Sequence, residues 1–506
     1  MRASPAPSGP PGKRAIGRAM RVVALVFLAK AIVLALWVTP LWDVPDETGH
    51  FAIVADLAAG RGLPVAGRSV IPPDVLADWT HGAAAAPVAN WVAQHPPLFH
   101  LLAAPLLWAA ARVCDNPRWL YRAPRLLSAV SGAAALLLFF SAFVEATEDS
   151  FLSFVAAAAV GFIPMYSHLA SGTNHDVFLA FMSGLAALGF ARFARSGLFS
   201  DGMKMAAALA LAGAVKLSAV APAAALWLLA LPLLKARGAR RVGQAIAIGA
   251  TSISLPLLWT LRHWWMTGNA RVHPVSSDPF RLGPFLGYLR GEPVVDHTFK
   301  NFFGLIGWTG TGAGNVRWFQ ISGVFLAPYI LAALVCAAGA AVWLWKRRPD
   351  HGAARLLGAA AAAAVFGFCF FWLFAWGDGV EPVKRLAYSL IAAVPLLALP
   401  IAFGRRDPEA AILAGSHFVF LVFCAAYLVN SFEAYEIYGH MRATNGRYFF
   451  AVLPFLGFAF LLPSGRLLRP GPRRNALLLA LLAALFVNET AFFLLKVIPF
   501  YRGAPA

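Results

Sequence analysis

Just past the first apolar run of the chain stands Asp43-Val44-Pro45-Asp46-Glu47-Thr48-Gly49-His50-Phe51, where three carboxylates and a histidine crowd into a chain that is 60% hydrophobic and 13% charged. Acids at the mouth of a membrane span are costly to desolvate, so they face water or do chemistry. A carboxylate in such a place can take the proton from an attacking hydroxyl. In a helix running from Asp46 to Ala59, Asp46 and His50 stand four apart and share a face. A carboxylate at a helix start can also serve as a cap for backbone N–H groups. That role accounts for one acid, and leaves the second acid and the histidine unexplained. As metal ligands Asp46 and His50 form an incomplete pair, which Asp176 could join.

A second constellation, Ser171-Gly172-Thr173-Asn174-His175-Asp176, opens a later apolar run. Asn174 or Asp176 can cap that helix; alternatively Asp176 faces Asp46 across a cavity and orients the acceptor, a metal or the base. Cations recur at the same ends of apolar runs: Lys216, Lys384, Arg385, Arg442 and Arg447. Snorkelling is the ordinary fate of such side chains, but several at one face suit a phosphate. Tyr448 follows Arg447 as an interfacial ring with a polar tip, available to a sugar or phosphate or to the aromatic belt.

The elements that must position these groups are membrane helices. A mean hydropathy of +0.68 excludes a soluble domain, and apolar runs near the ~20 residues that cross a bilayer recur along the chain. The net charge of +19 does not require nucleic acid, because Lys and Arg gather in cytoplasmic loops. Cys114, Cys336, Cys369 and Cys424 lie far apart, with neither paired zinc spacing nor a disulfide framework, and read as buried packing. Residues 1–20 read as a disordered basic cytoplasmic tail, and Val22–Val38 as an uncleaved first span.

Parity settles the remainder. Leu98–Val113 is short for a crossing, which leaves a re-entrant or surface-lying helix. If it does not cross, spans fall near 125–144, 150–167, 177–194, 203–217, 219–234, 243–262, 321–345, 353–376, 384–403, 410–430, 447–464 and 475–497. The basic clusters, from Arg192, Arg195 and Lys204 to Arg473 and Arg474, then all face inside; if it crosses, they all face outside and the charge rule fails. The expectation is an all-α polytopic membrane protein of about thirteen spans with juxtamembrane helices in the first outer loop. One blemish is that Glu145, Glu148 and Asp149 would face inside. The outer segments are 39–124, the turn His168–Asp176, 263–320 and 431–447; residues 466–506 form the last span and C-terminus, and no soluble domain is expected at either end.

Three blocks in order carry a resemblance: Pro45-Asp46-Glu47-Thr48-Gly49-His50-Phe51, Phe302 to Trp308, and Gly446-Arg447-Tyr448-Phe449. Together they resemble the bacterial domain-of-unknown-function 2142 membrane family, which is similar in layout to the GT-C superfamily of polyprenyl-phosphate-sugar glycosyltransferases. That superfamily shares a His-Pro-Pro step, here His95-Pro96-Pro97, and an Asn/Asp turn like Asn174–Asp176. The resemblance covers residues 20 to about 465; Thr48-Gly49, Asn445 and Ala451 depart from its commoner pattern. It implies a GT-C-type catalytic module over 21–465 in a bacterial inner membrane, with the N-terminus cytoplasmic and the site on the outer face. The implied reaction moves a sugar from a polyprenyl-phosphate donor to a cell-envelope glycan or lipid acceptor, with inversion. Asp46 would be the base; Glu47, His50 and Asp176 would orient or tune it. Lys216, Lys384, Arg385, Arg442 and Arg447 would meet the lipid phosphate, with His95, Asn174 and Tyr448 against substrate. No cofactor is required, and a divalent metal is possible. A transporter or flippase is the competing class, as is a structural partner in a polysaccharide complex; mid-span regions nearly free of charge count against transport.

Overall fold

The computed structural model describes residues 12–80, 82, 86–269, 280–310, 316–346, 365, 367–368, 380–403, 408–441, 444–465 and 467–503. The chain is a helical, polytopic membrane protein. Among the described residues, seven helices are long and apolar enough to cross a bilayer, or eight if one bent pair is a single span. The first helix, α1 (Lys13–Val33), begins inside the stretch expected to be a disordered tail and continues through a π-helical turn to Val38. The body follows as α6 (Arg125–Thr147), α7 (Ser150–Val160), α8 (Pro164–Ala170), α9 (His175–Ser196), α10 (Phe199–Gly213), α11 (Val220–Leu233) and α12 (Gly238–Thr267). Further helices run over Gly323–Lys346, Pro382–Phe403, Pro408–Tyr438 and Pro472–Phe492, and a mixed 3-10 and π-helical span runs from Gly446 to Gly465. The expected span 353–376 lies almost wholly outside the described residues.

Small residues let these helices approach. A Cβ placed on Gly189 of α9 would come within 2.8 Å of the Met205 backbone of α10, closer than any side chain tolerates, so glycine here permits the tight crossing. The core between α1, α6, α9 and the Gly446–Gly465 span is filled by Phe139, Phe143, Phe190, Phe455 and Phe458.

The segment between the first span and α6 is built of short pieces: α2 (Glu47–Ala58), α3 (Pro73–Trp79), α4 (Leu98–Ala110) and α5 (Pro117–Arg122), with β1 (Val70–Ile71) pairing antiparallel to β2 (Val88–Ala89). Trp42, Phe51, Val54, Ala103 and Leu107 join α2 and α4 in a small core of their own. The segment after α12 holds α13 (Leu282–Gly291), α14 (Val294–Phe303) and a hairpin of β3 (Leu305–Gly310) with β4 (Val316–Gln320). Phe302 packs edge-on against Phe450 at 5.8 Å. The aromatic Phe302–Trp308 block is therefore partly folded into the protein. Any Cβ on Gly446 would collide with the backbone of Thr298 and Phe302, so the glycine of the Gly-Arg-Tyr block is required by contact with α14.

The acids expected to face inside each have a basic neighbour from the same end of the bundle. Glu145 lies 3.6 Å from Arg192, Glu148 2.5 Å from Arg195 and Asp149 2.7 Å from Arg474. The mid-span regions are less empty of charge than the sequence suggests. Lys30 of α1 and Glu489 of the Pro472–Phe492 helix meet at 2.8 Å, and Ser167 donates to Glu489 at 2.5 Å. The bend of 67° between α7 and α8 interrupts the helical ladder. The carbonyls this leaves unpaired accept Lys30 at Gly161 (2.9 Å) and the Tyr329 hydroxyl at Phe162 (2.8 Å), as a broken apolar helix requires.

At the opposite end, Arg125 opens α6 with no exposed surface. Its five N–H donors are all used: Nε and Nη2 grip the two oxygens of Glu47 at 2.7 and 2.8 Å, Nη1 donates to Ala35 and Thr39 carbonyls, and Nη2 also to Pro40. Glu47 in turn accepts the Trp42 and Thr173 amides. One buried ion pair thus ties the end of α1, the start of α2, α6 and the α8–α9 turn into one frame. Removing one member of such a pair strands the other charge. Arg125→Met is expected to destabilise the protein by about 3–5 kcal/mol, read as a lowered thermal midpoint in detergent, and adding Glu47→Gln is expected to recover part of the loss.

Candidate active site

Asp46 does not lie in the helix. Its φ of 64° places it in the left-handed region, α2 starts at Glu47, and the carboxylate makes no capping bond. The conformation is unfavourable for a side chain with a Cβ, and it turns Asp46 out of the face that carries His50. The expectation that the two share a helical face is corrected by this turn.

The Asp46 carboxylate accepts Trp91 Nε1 at 2.9 Å and pairs with Arg447 Nη2. Arg447 Nη1 also lies 3.6 Å from Asp176, and Asp176 accepts Lys216 Nζ at 2.6 Å. Lys216 sits 4.4 Å from the centre of the Tyr448 ring, near enough for a cation–π contact. Two carboxylates and two cations therefore alternate in one cluster, from the residue before α2, the start of α9, the α10–α11 turn and the start of the Gly446–Gly465 span. The Asp46 side chain keeps 23% of its surface exposed, against 0% for Asp176, 7% for Lys216 and 3% for Arg447. It is the one member of the four that a substrate reaches readily. Burial pushes its pKa up, but Arg447 overcomes this, with help from Trp91 and Lys216, and holds the carboxyl below the ordinary 3.8.

His50 turns the other way. Its Nδ1 lies 2.9 Å from His100 Nε2, and its ring lies edge-on to His175 at 4.3 Å. Burial holds the His50 imidazole well below the ordinary histidine range, with His100, Arg447 and Lys216 adding to the effect, and pushes His100 down to about 3. His95 follows the 3-10 turn Trp91–Gln94 and is half-buried, its ring 4.8 Å from His175. The metal set suggested by the sequence, Asp46, His50 and Asp176, does not assemble, because Asp46 and Asp176 are engaged by Arg447 and Lys216.

The other expected residues separate by their surroundings. Glu47 is buried in its pair with Arg125, with no exposed side-chain surface. Asn174 is fully buried; its Oδ1 accepts the Asp176 amide at 2.7 Å and its Nδ2 donates to the Pro45 carbonyl at 3.0 Å. It caps α9 and tethers the Asp46 loop. Lys384 pairs with Glu381 at 3.3 Å and Arg385 donates to the Val380 carbonyl; neither has a described contact with the Asp46 cluster. Arg442 lies outside the described residues.

Trp91, His100 and Arg125 were not singled out from the sequence. The signal for Arg125 was present: a cation at the outer end of a span, against the charge rule, like Lys216. Trp91 carried no local signal. Asp43 is fully buried and accepts the Trp308 amide at 3.3 Å. With Asn301 Nδ2 donating to the Thr444 carbonyl at 3.3 Å, these bonds bring the three sequence blocks together around one site.

No protein-family model matches the sequence, that of the family its motifs resemble included, and no curated protein matches it. Among solved structures, the chain is similar to ArnT from Cupriavidus metallidurans bound to undecaprenyl phosphate, at 14% identity and a TM-score of 0.38, over 94% of this chain and 78% of that one. The Archaeoglobus fulgidus oligosaccharyltransferase in the apo form is similar at 13% identity and a TM-score of 0.40, over 94% of this chain and 55% of that one. The S. cerevisiae protein O-mannosyltransferase complex bound to the sugar donor is similar at 15% identity and a TM-score of 0.35, over 55% of this chain and 36% of that one. The chain thus spans about a third to a half of the length of the yeast and archaeal proteins.

The Asp46–Arg447 pair sets a pH dependence. Asp46 has a folded pKa below its unfolded value, so its contribution to stability is fully present above about 3.8 and is lost as pH falls through the folded value. In Arg447→Leu the largest influence opposing burial is gone while Trp91 and Lys216 remain, so the Asp46 pKa is expected to rise above its value in the unaltered chain, read from the carboxyl band in infrared titration with Asp46→Asn as reference.

Proposed function

We propose that the chain is an integral-membrane glycosyltransferase that moves a sugar from a polyprenyl-phosphate donor to a cell-envelope glycan or lipid acceptor. The observation that carries this reading is the partly exposed Asp46 carboxylate held against Arg447 beside Lys216. An acceptor hydroxyl gives its proton to Asp46 while its oxygen attacks the anomeric carbon. The bond from that carbon to the phosphate oxygen breaks, and its electron pair leaves with the lipid phosphate. Direct displacement inverts the anomeric centre.

The cluster suits this charge movement. As Asp46 takes up a proton it loses its negative charge, and Arg447 is released toward the phosphate that gains one. Lys216 adds a second cation, and both act in a site with little water, where charge stabilisation is strongest. Asp176 keeps the two cations in place, and Tyr448 lies over Lys216 where sugar or phosphate would enter. The lipid tail would lie between spans. The reaction needs no cofactor, since two side-chain cations meet the leaving group. We assign the site to the outer face of a bacterial inner membrane, with the N-terminus cytoplasmic, on the distribution of Lys and Arg among the loops.

The Lys30–Glu489 pair favours a second reading, a transporter or flippase, because intramembrane charges often mark a transport path. Its ligation argues for a clamp instead: Glu489 is 2% exposed and takes Lys30 and Ser167, while Lys30 also holds the Gly161 carbonyl.

Asp46→Asn is expected to lower transfer from a radiolabelled polyprenyl-phosphate sugar in membranes by about 10²–10⁴-fold at unchanged expression. Lys384→Ala, outside the cluster, is expected to leave transfer unchanged. Full activity in Asp46→Asn removes Asp46 as the base.

A further inference from the structure

Behind the Asp46 cluster, three helices each turn one histidine to a common point: His50 from α2, His100 from α4 and His175 from the start of α9. All three are buried, at 1%, 0% and 2% exposure, and one ligating nitrogen of each lies within 4.8 Å of the other two. The proposed transfer reaction uses none of these imidazoles. Hydrogen bonding accounts for them only in part, because one contact at 2.9 Å joins His50 Nδ1 to His100 Nε2. The Nδ1 atom of His175 is buried without a hydrogen-bond partner. Such a group loses its water and gains nothing in return, so its presence calls for an occupant.

We propose that His50, His100 and His175 form a three-histidine site for a divalent transition-metal ion, zinc foremost, that clamps α2 and α4 to α9. Imidazole nitrogen is a preferred ligand of zinc and of its neighbours in the first transition row. Nitrogens sharing a tetrahedral zinc at ~2.0–2.1 Å stand about 3.4 Å apart, so the His50–His100 contact opens slightly and the widest separation closes by small ring rotations. The ion takes the place of the proton shared by His50 and His100, and the donor ring carries that proton on its other nitrogen. A carboxylate stands behind one ligand, as is common for metal-bound histidine: Asp176 Oδ1 lies 3.5 Å from His175 Nε2. The nearest cations do not repel the ion at full charge, since Lys216 is paired with Asp176 and Arg447 with Asp46. Neither Asp46 nor the leaving group is a ligand, so the ion's role is to hold the frame behind the base.

The test is metal content, independent of any sugar transfer. Full-length protein in detergent is loaded with zinc, freed of excess and measured by plasma mass spectrometry. About one zinc per chain is expected, falling at least tenfold in His50→Ala, His100→Ala and His175→Ala and unchanged in His440→Ala, whose histidine is exposed. Should those variants fail to fold, the wild-type chain still decides. Zinc added after chelation should raise the thermal midpoint to a plateau at one equivalent, and cobalt(II) should give the visible ligand-field bands of a tetrahedral site. Zinc content in wild type no higher than in His100→Ala, or a thermal midpoint indifferent to zinc and chelator, overturns the proposal.

Discussion

The buried pair of Arg125 and Glu47 is the constraint on which the site depends. Burying an isolated guanidinium or carboxylate in a membrane protein is prohibitive, and burying both is tolerable only when every donor and lone pair is used. Here all five donors of Arg125 are engaged, and both Glu47 oxygens accept two bonds each. The result is rigid because no partner can move without leaving a buried charge unpaired. Asp46 is the residue immediately before Glu47, and its left-handed backbone is held on one side by that pair and on the other by Asn174 bonding to the Pro45 carbonyl. Strain at Asp46 is thus maintained by neighbours with no freedom to relax it.

From that fixed point the chain divides the polar residues at the start of α2 by direction. Asp46, outside the helix, looks toward Arg447, Trp91 and the open side. Glu47, the first helical residue, looks into the frame. His50, one turn on, looks toward α4 and α9. A carboxylate that is reachable and ionised, a carboxylate buried in an ion pair, and a histidine among histidines come from five consecutive positions. Their different chemistry follows from where a single turn of backbone aims them.

The two ends of the bundle handle charge differently. At the end where α6 and α9 finish, exposed Arg192 and half-buried Arg195 lie against solvent-facing acids, pairs that contribute little to stability, and of these cations only Arg474, against Asp149, is buried. At the end where α6 and α9 begin, charges are buried and mutually dependent. Lys30 and Glu489 form a third setting, deep between the first and last long helices, where they meet the carbonyl left bare by the α7–α8 bend. Each is a local solution to the rule that polar groups in an apolar body must be paired.

The sequence alone determined the class of molecule. Apolar runs of bilayer length and the placing of Lys and Arg among loops made it a polytopic helical membrane protein, because those signals depend on length and composition and need no knowledge of contacts. It also located Asp46, Asp176, Lys216, Arg447 and Tyr448, since charged groups at span ends stand out against an apolar background. Only the tertiary structure decided what each residue does. The positive φ of Asp46 cannot be read from a residue type that usually opens helices, and it separates Asp46 from His50. The roles of Glu47 and Asn174 depend on Arg125 and Pro45, which are distant in sequence. His100 and His175 gain meaning only when α4 and α9 pack beside α2, because a shared ligand site is a property of three helices and of no single stretch of chain.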